Sequence, residues 1–267
     1  MNNKKNLFFI GLFFTSFILS ISITVINSKK STQSSVNKID SVKEFLSKQT
    51  IIVEAQKFHT LKIGVIDIGQ VDWSKLPQVS YNQYILDSNE NQEHGHYVTN
   101  EIVSELNAKG LLSKVQIVYC QVSKFSMILE QCLDIMLLNQ VQITNVSMSF
   151  GKDSQISLLE ILSFGQLLNN SKVVFSAGND GQESGNALCD MKSVNKICVG
   201  GYNQVEIDPK SNYGKNVDVY EPYYAKYSNY IGTSFSAPMH VAKIASLMLQ
   251  GKDYKYHASS NRNLASH

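Results

Sequence analysis

Residues 61–69 read Leu-Lys-Ile-Gly-Val-Ile-Asp-Ile-Gly, a short apolar run that ends on an acid and a glycine. Similar apolar, β-branched runs lie at 115–121, 142–149, 172–177 and 196–201. Helical patterns lie between them near 95–109, 125–139 and 155–169, and another follows Ser234. Strands that alternate with helices are typical of parallel βαβ units, and strands that are apolar throughout are buried on both faces. The sequence therefore predicts an α/β fold with a mostly parallel central sheet.

Four chemically distinctive side chains follow these strands or open the helices. Asp67 ends the first run, Asn179 follows the fourth, and His94 and Ser234 each stand at the start of a helical segment. In open α/β sheets, functional sites collect at the carboxyl ends of the strands. We therefore expect these four residues, which are distant in sequence, to meet at one edge of the sheet.

The four side chains match the requirements of acyl transfer. A serine hydroxyl is too weakly acidic to attack an amide unaided, so Ser234 needs an adjacent base, a role that His94 can fill. Asp67 would orient the imidazole of His94 and stabilise its cation, and Asn179 would donate its side-chain amide to the developing oxyanion. Each residue also has an ordinary interpretation. These are a helix cap for Ser234, a satisfied surface histidine for His94, an acid in a turn for Asp67 and a plain Gly-Asn turn for Asn179.

The segments around these residues resemble those of the subtilisin-like serine proteases, which carry the triad in the order Asp, His, Ser. The segments that match are Ile63–Gly69 (IGVIDIG), His94–Val98 (HGHYV), Ser176–Gly181 (SAGNDG) and Gly232–Pro238 (GTSFSAP). The resemblance covers about residues 58–250. It implies a three-layer subtilisin-like fold and a serine endopeptidase.

Residue by residue, the resemblance makes Asp67, His94 and Ser234 the catalytic triad and places Asn179 in the oxyanion hole. The loss of one oxyanion donor of this kind costs about 10²–10³ in turnover, a magnitude known for subtilisin itself. The segment NVSMSFG, residues 145–151, resembles the family's Asn-Met-Ser-Leu-Gly-Gly strand, whose backbone pairs with the substrate.

This last match implies that Ser147, Met148 and Ser149 line the cleft as a strand edge and bind an extended peptide by β-augmentation. An ordinary buried strand is the alternative. Ser149 and Phe150 replace two glycines of the family pattern, which would narrow or block the primary specificity pocket.

Other departures from the family pattern lie nearby. His96 occupies a threonine position, and Tyr97 replaces a second histidine. The Gly-rich loop of the other substrate-binding edge is missing, because Val118–Lys124 runs almost directly into a helix.

Two further classes of function are therefore open. A peptide-binding pseudo-protease is favoured by Ser149, Phe150 and the missing loop, because fold alone does not guarantee activity. A metal-dependent hydrolase with Asp67, His94 and His96 as ligands would leave the GTSFSAP segment unexplained. The sequence predicts no cofactor and no catalytic metal. A structural calcium ion is left open, because no acidic loop of the required type locates one.

The N-terminus carries Lys4 and Lys5 ahead of an apolar portion, Leu7–Ile26, which is long enough to span a bilayer as a helix. No clear Ala-x-Ala cleavage site follows, so an uncleaved anchor and a cleaved signal peptide are both open. Both interpretations predict an exported domain, either anchored to the membrane on its extracytoplasmic side or secreted. The expected division is an apolar segment 1–30, a polar linker 31–57, a catalytic domain 58–252 and a polar tail 253–267.

Charge and cysteine content bear on partners and compartment. The formal net charge of +2, with no basic run between aromatics, gives no support to nucleic-acid binding, and we predict none. The expected partners are a peptide or protein substrate and a membrane contacted by the N-terminal segment, while the oligomeric state is left open.

Four cysteines permit two disulfides in an oxidising compartment, with Cys189–Cys198 favoured because the two bracket a short turn. Four buried free thiols are the alternative.

Overall fold

The computed structural model describes residues 60–86, 93–122, 127–150, 158–183, 185–252 and 254. The predicted apolar segment 1–30, the linker 31–57 and, in the predicted tail, residues 253 and 255–267 lie outside the described residues. None of the helices in the described ranges is long and apolar enough to cross a lipid bilayer.

A mostly parallel sheet forms the centre of the fold. Its strands are β1 (Leu61–Ile68), β2 (Ser80–Ile85), β3 (Val115–Val122), β4 (Ile143–Val146), β5 (Lys172–Ser176), β6 (Lys196–Asn203), β7 (Glu206–Ile207) and β8 (Val219–Pro222). They are ordered β2-β3-β1-β4-β5-β6-β7, and β8 also pairs with β6. Every pairing in this sheet is parallel except that of β6 with β7. This arrangement confirms the predicted α/β class.

Helices cover both faces of the sheet. They are α1 (His94–Ala108), α2 (Met127–Leu138), α3 (Leu158–Asn170) and α4 (Thr233–Leu249). Ile63 of β1 belongs to an apolar cluster with Val98 of α1 and Val241 of α4. Ile66 points to the opposite face and joins a second cluster with Phe164 of α3 and residues of α2. Because successive strand residues face opposite sides, this alternation produces the predicted three layers.

Two disulfides lie in the second cluster. Cys120 of β3 is bonded to Cys132 of α2, and Cys189 is bonded to Cys198 of β6. The favoured Cys189–Cys198 pair is therefore confirmed, and the alternative of four free thiols is wrong. A bridge of this kind stabilises a protein mainly because it restricts the unfolded chain.

The structure corrects some element boundaries. The run predicted as one strand at 142–149 leaves the sheet after Val146, where its pairing with β1 and β5 ends. Strand β2 was not expected, because Ser-Tyr-Asn-Gln-Tyr-Ile is largely polar and half exposed at the sheet edge. Tyr254, assigned from sequence to the polar tail, packs on the first apolar cluster, and its hydroxyl lies 2.6 Å from Nε2 of His240.

Candidate active site

Asp67 lies at the carboxyl end of β1, in the middle of the sheet between β3 and β4. Its side chain is fully buried. Oδ1 of Asp67 accepts a hydrogen bond from the backbone N–H of Ile68 at 2.7 Å and lies 2.5 Å from Nδ1 of His94. A buried carboxylate is costly unless donors face it, so these two contacts make Asp67 compatible with its position.

His94 is the first residue of α1, and its side chain is 27% exposed. Nδ1 faces the buried acid, whereas Nε2 makes no hydrogen bond within the described ranges. Gly95 allows this approach, because a methyl group at Gly95 would overlap the hydroxyl of Tyr119 and lie 2.9 Å from the carbonyl oxygen of Ile68. The small residue after His94 therefore lets the helix start lie directly against the end of β1.

Opposing effects set the pKa of His94. Burial is the largest contribution and lowers this pKa, because it disfavours the imidazolium cation. The charge of Asp67 and its hydrogen bond both raise the pKa, and together they outweigh burial. The pKa of His94 is consequently raised above its ordinary value of 6.5.

Ser234 is the second residue of α4 and is partly exposed. Its hydroxyl donates to the carbonyl oxygen of Ser147 at 3.3 Å, and its own carbonyl oxygen accepts from the hydroxyl of Ser147 at 2.8 Å. No hydrogen bond joins Ser234 to His94 in the part of the chain that the structure describes. The two helix starts are nevertheless adjacent, because the rings of His94 and Phe235 have centroids 5.6 Å apart.

Asn179 follows β5 in an exposed loop, and Thr233 orients its side chain. Oδ1 of Asn179 accepts from the backbone N–H of Thr233 at 2.9 Å and from its hydroxyl at 3.1 Å. The Nδ2 group makes no hydrogen bond within the described residues. Because Oδ1 is held on the residue before Ser234, the amide donor is available beside the serine. Sequence reasoning did not single out Thr233, although its place next to Ser234 was a signal.

The segment predicted to bind substrate has two parts. Ser147 is buried, and besides its contact with Ser234 it accepts a hydrogen bond from Nδ2 of Asn145 at 2.9 Å. Its side chain thus supports the start of α4, and its carbonyl oxygen faces the Ser234 hydroxyl. Met148 is partly exposed and Ser149 is exposed. Neither Met148 nor Ser149 has a strand partner within the described residues.

Asn186 holds this segment from behind, and sequence reasoning missed it. Its Nδ2 donates to the carbonyl oxygens of Ser176 at 2.6 Å and Met148 at 3.3 Å. Its Oδ1 accepts from the backbone N–H of Phe150 at 3.2 Å. Phe150 is partly buried and packs against the second apolar cluster.

His96 does not join the site. It lies two residues after His94 on α1, so the two side chains leave the helix in nearly opposite directions. Its side chain is buried, and burial lowers its pKa. Among the described residues, no group of three or more His, Cys, Asp or Glu side chains is arranged to hold a metal ion. The arrangement of His94 and His96 gives no support to the alternative in which they share a metal with Asp67.

Comparisons with solved structures show the same fold at low sequence identity. Prenylagaramide maturation protease PagA is 18% identical, with a TM-score of 0.59 over 74% of this chain and 79% of that chain. A cold-adapted subtilisin-like serine proteinase is 18% identical, with a TM-score of 0.58 over 76% of this chain and 82% of that chain. Patellamide maturation protease PatA is 16% identical, with a TM-score of 0.55 over 73% of this chain and 82% of that chain.

A comparison with curated proteins gives no match. The model of the subtilase family, in contrast, matches residues 39–266, which is most of the chain and includes Asp67, His94, Asn179 and Ser234. Three findings agree, namely the fold, the contact between Asp67 and His94, and this family match. The chain belongs to the subtilase family and is a serine-type peptidase.

Proposed function

We propose that this subtilase is an endopeptidase that cleaves peptide bonds through an acyl-enzyme, with Ser234 as nucleophile and His94 as base. Asp67 orients His94, and Asn179 donates to the oxyanion. The observation that carries the proposal is the buried contact between Asp67 and Nδ1 of His94. Nε2 of His94 then makes no hydrogen bond among the described residues and lies near the start of the Ser234 helix.

The reaction follows from these positions. Oγ of Ser234 attacks the scissile carbonyl carbon while Nε2 of His94 accepts the hydroxyl proton. The oxygen of the tetrahedral intermediate accepts a hydrogen bond from Nδ2 of Asn179 and from the backbone N–H of Ser234, which lies in the unpaired first turn of α4. His94 then gives the proton to the leaving nitrogen as the C–N bond breaks. Water, deprotonated by His94, cleaves the resulting ester and releases Ser234.

The substrate is an extended peptide that lies along residues 147–149. Three features support this: the chain leaves the sheet after Val146, Ser149 is exposed, and neither Met148 nor Ser149 has a strand partner among the described residues. A peptide strand added there would bring its carbonyl group to Ser234, because Ser147 already contacts that residue through two hydrogen bonds.

A peptide-binding pseudo-protease is the second candidate, and one observation favours it. The hydroxyl of Ser234 donates to the carbonyl oxygen of Ser147 and not to His94. This difference does not by itself argue against catalysis, because catalytic hydrogen bonds in enzymes often form only in the complex with substrate.

Labelling with a fluorophosphonate separates the two candidates, because an unactivated serine does not react with it. The full chain in detergent is expected to form one adduct on Ser234, located by mass mapping, and the His94→Ala variant is expected to form none. Ser193→Ala, in the loop that leads from β5 into β6, is the matched control and should label as the parent does. If the folded protein gave no adduct, the endopeptidase proposal would be rejected and the peptide-binding pseudo-protease would remain.

The raised pKa of His94 predicts a pH profile. Because the base must be neutral to accept a proton, kcat/KM is expected to rise with pH through a pKa above 6.5. The Asp67→Asn variant loses the charge that raises this pKa, so its acidic limb should move to lower pH. Its kcat should fall by about 10⁴, the size known for the same change in the chymotrypsin triad. Asp190→Asn, at an exposed contact with Asn216, is the control.

Rate measurements from pH 5 to 9 on the parent, Asp67→Asn and Asp190→Asn test this profile. An acidic limb that stays in place when the charge of Asp67 is removed would contradict the proposed role of Asp67.

We also propose that the domain is exported. The apolar portion Leu7–Ile26 and the two disulfides support this, because disulfides persist in oxidising compartments. The N-terminal mass of the mature protein, measured in membrane and soluble fractions, decides between an uncleaved membrane anchor and secretion. If the protein were found in the cytoplasmic fraction with its cysteines reduced and its N-terminus intact, export would be rejected.

A further inference from the structure

Asn212 is a fully buried residue outside all of the motifs that point to the active site. Its Oδ1 accepts from the backbone N–H groups of Asp180 and Gln182, both at 3.0 Å. Its Nδ2 donates to the carbonyl oxygen of Ala177 at 2.9 Å and to Oδ2 of Asp180 at 3.3 Å. A primary amide offers two donors and two acceptor sites, so all four are used.

These contacts bracket Asn179 on both sides. Ala177 lies two residues before it, and Asp180 and Gln182 lie after it. The backbone adds three bonds between the same segments. The N–H of Asn212 donates to the carbonyl oxygen of Gly178 at 2.9 Å, that of Tyr213 to Gln182 at 3.0 Å, and that of Gly181 to Lys210 at 2.9 Å. The main chain of the Asn179 loop is therefore held over its whole length by the segment around Asn212.

Two glycines make room for the Asn212 amide. A methyl group at either Gly178 or Gly185 would overlap Nδ2 of Asn212. Gly178 also has a φ of +103°, a conformation that other residues rarely adopt. The backbone of the Asn179 loop thus fits closely around this one side chain.

We propose that Asn212 is a positioning residue for the oxyanion donor, an inference that rests on the proposed function of Asn179. Thr233 holds the side-chain carbonyl of Asn179, and Asn212 holds the main chain that carries it. Both constraints are needed, because an oxyanion donor acts only within about 2.7–3.1 Å of the charge that develops. A displacement of about 1 Å in such a group costs about 10²-fold in rate.

A double-mutant cycle tests this coupling. Asn179→Ala should lower kcat by about 10²–10³, the range known for subtilisin itself. Asn212→Ser, whose side chain is too short to reach both ends of the loop, should lower kcat by about 10–100-fold with little change in KM. In the Asn179→Ala background, Asn212→Ser should cost less than about 3-fold, because the donor that it positions is already absent.

The rates are expressed per active site, counted by fluorophosphonate titration, so that a loss of folded protein does not enter them. Asn195→Ala is the matched control, because Asn195 also donates its amide to a carbonyl oxygen, that of Leu168 at 2.9 Å. Asn195 directly precedes β6, so it lies at the end of that strand away from the active site. It should lower stability and leave kcat unchanged. If Asn212→Ser does not fold, Asn212→Thr, whose extra methyl group fills more of the space of the amide without adding a charge, enters the same cycle.

Two results would overturn the inference and leave the proposed triad intact. One is an Asn212 variant with the kcat of the parent, and the other is an equal loss in the parent and Asn179→Ala backgrounds, which indicates a general structural role. An Asn179→Ala variant as active as the parent would overturn the oxyanion assignment, and this inference with it. The single variants therefore distinguish the two failures.

Discussion

Replacement of Ser234 by alanine is expected to lower kcat for peptide hydrolysis by about 10⁶, the size of loss known for the triad serine of subtilisin itself. The change removes the only atom that forms a bond to the substrate and leaves Asn179 in place. A residual rate of about 10³–10⁴ over water is therefore expected from the remaining donors and from substrate binding. KM should change little, because residues 147–149 keep their backbone.

A quenched fluorescent peptide library, followed at several enzyme concentrations, measures this loss. The fold should persist in Ser234→Ala, because among the described residues the Ser234 hydroxyl makes a single long hydrogen bond, at 3.3 Å to the carbonyl oxygen of Ser147. Ser193→Ala serves again as the matched control. A Ser234→Ala variant that hydrolyses peptides within tenfold of the parent would mean that another nucleophile acts.

His94→Ala is expected to cause a loss of similar size, about 10⁶ in kcat, because the hydroxyl of Ser234 then has no base. The double variant with Ser234→Ala should be no slower than either single variant, since residues that act as one unit are not additive. His96→Ala is the matched control on the same helix. It should retain most activity, because His96 points away from the site.

Removal of His94 also tests the structure around Asp67. The buried carboxylate then keeps only the backbone N–H of Ile68 within the described residues. His94→Ala should therefore be less stable than His96→Ala in urea unfolding at neutral pH. For the catalytic prediction, losses of kcat that add in the double variant of His94→Ala and Ser234→Ala would contradict a shared catalytic unit.

The sequence was most informative where burial and local chemistry coincide. Strands β1, β3, β5 and β6 are apolar on both faces, so each was predicted within two residues of its observed ends. Strand β2 is half exposed, and its place beside β3 depends on pairs such as Ser80 with Gln116, which no local pattern encodes. The predicted strand at 142–149 was too long, because apolar character alone does not show where partner strands end.

The same distinction holds at the site. Asp67, His94, Asn179 and Ser234 were named from short motifs, because each needs a particular neighbour, such as the small Gly95 after His94.

What only the tertiary structure decided is how these groups are held. Asn186 and Asn212 are polar residues in loops. The residues around each of them are typical of ordinary turns, so the local sequence does not single them out. Their partners lie far along the chain, from Asn186 to Phe150 and from Asn212 to Ala177. A motif records local chemistry, whereas a buried amide is defined by the donors and acceptors that folding brings around it.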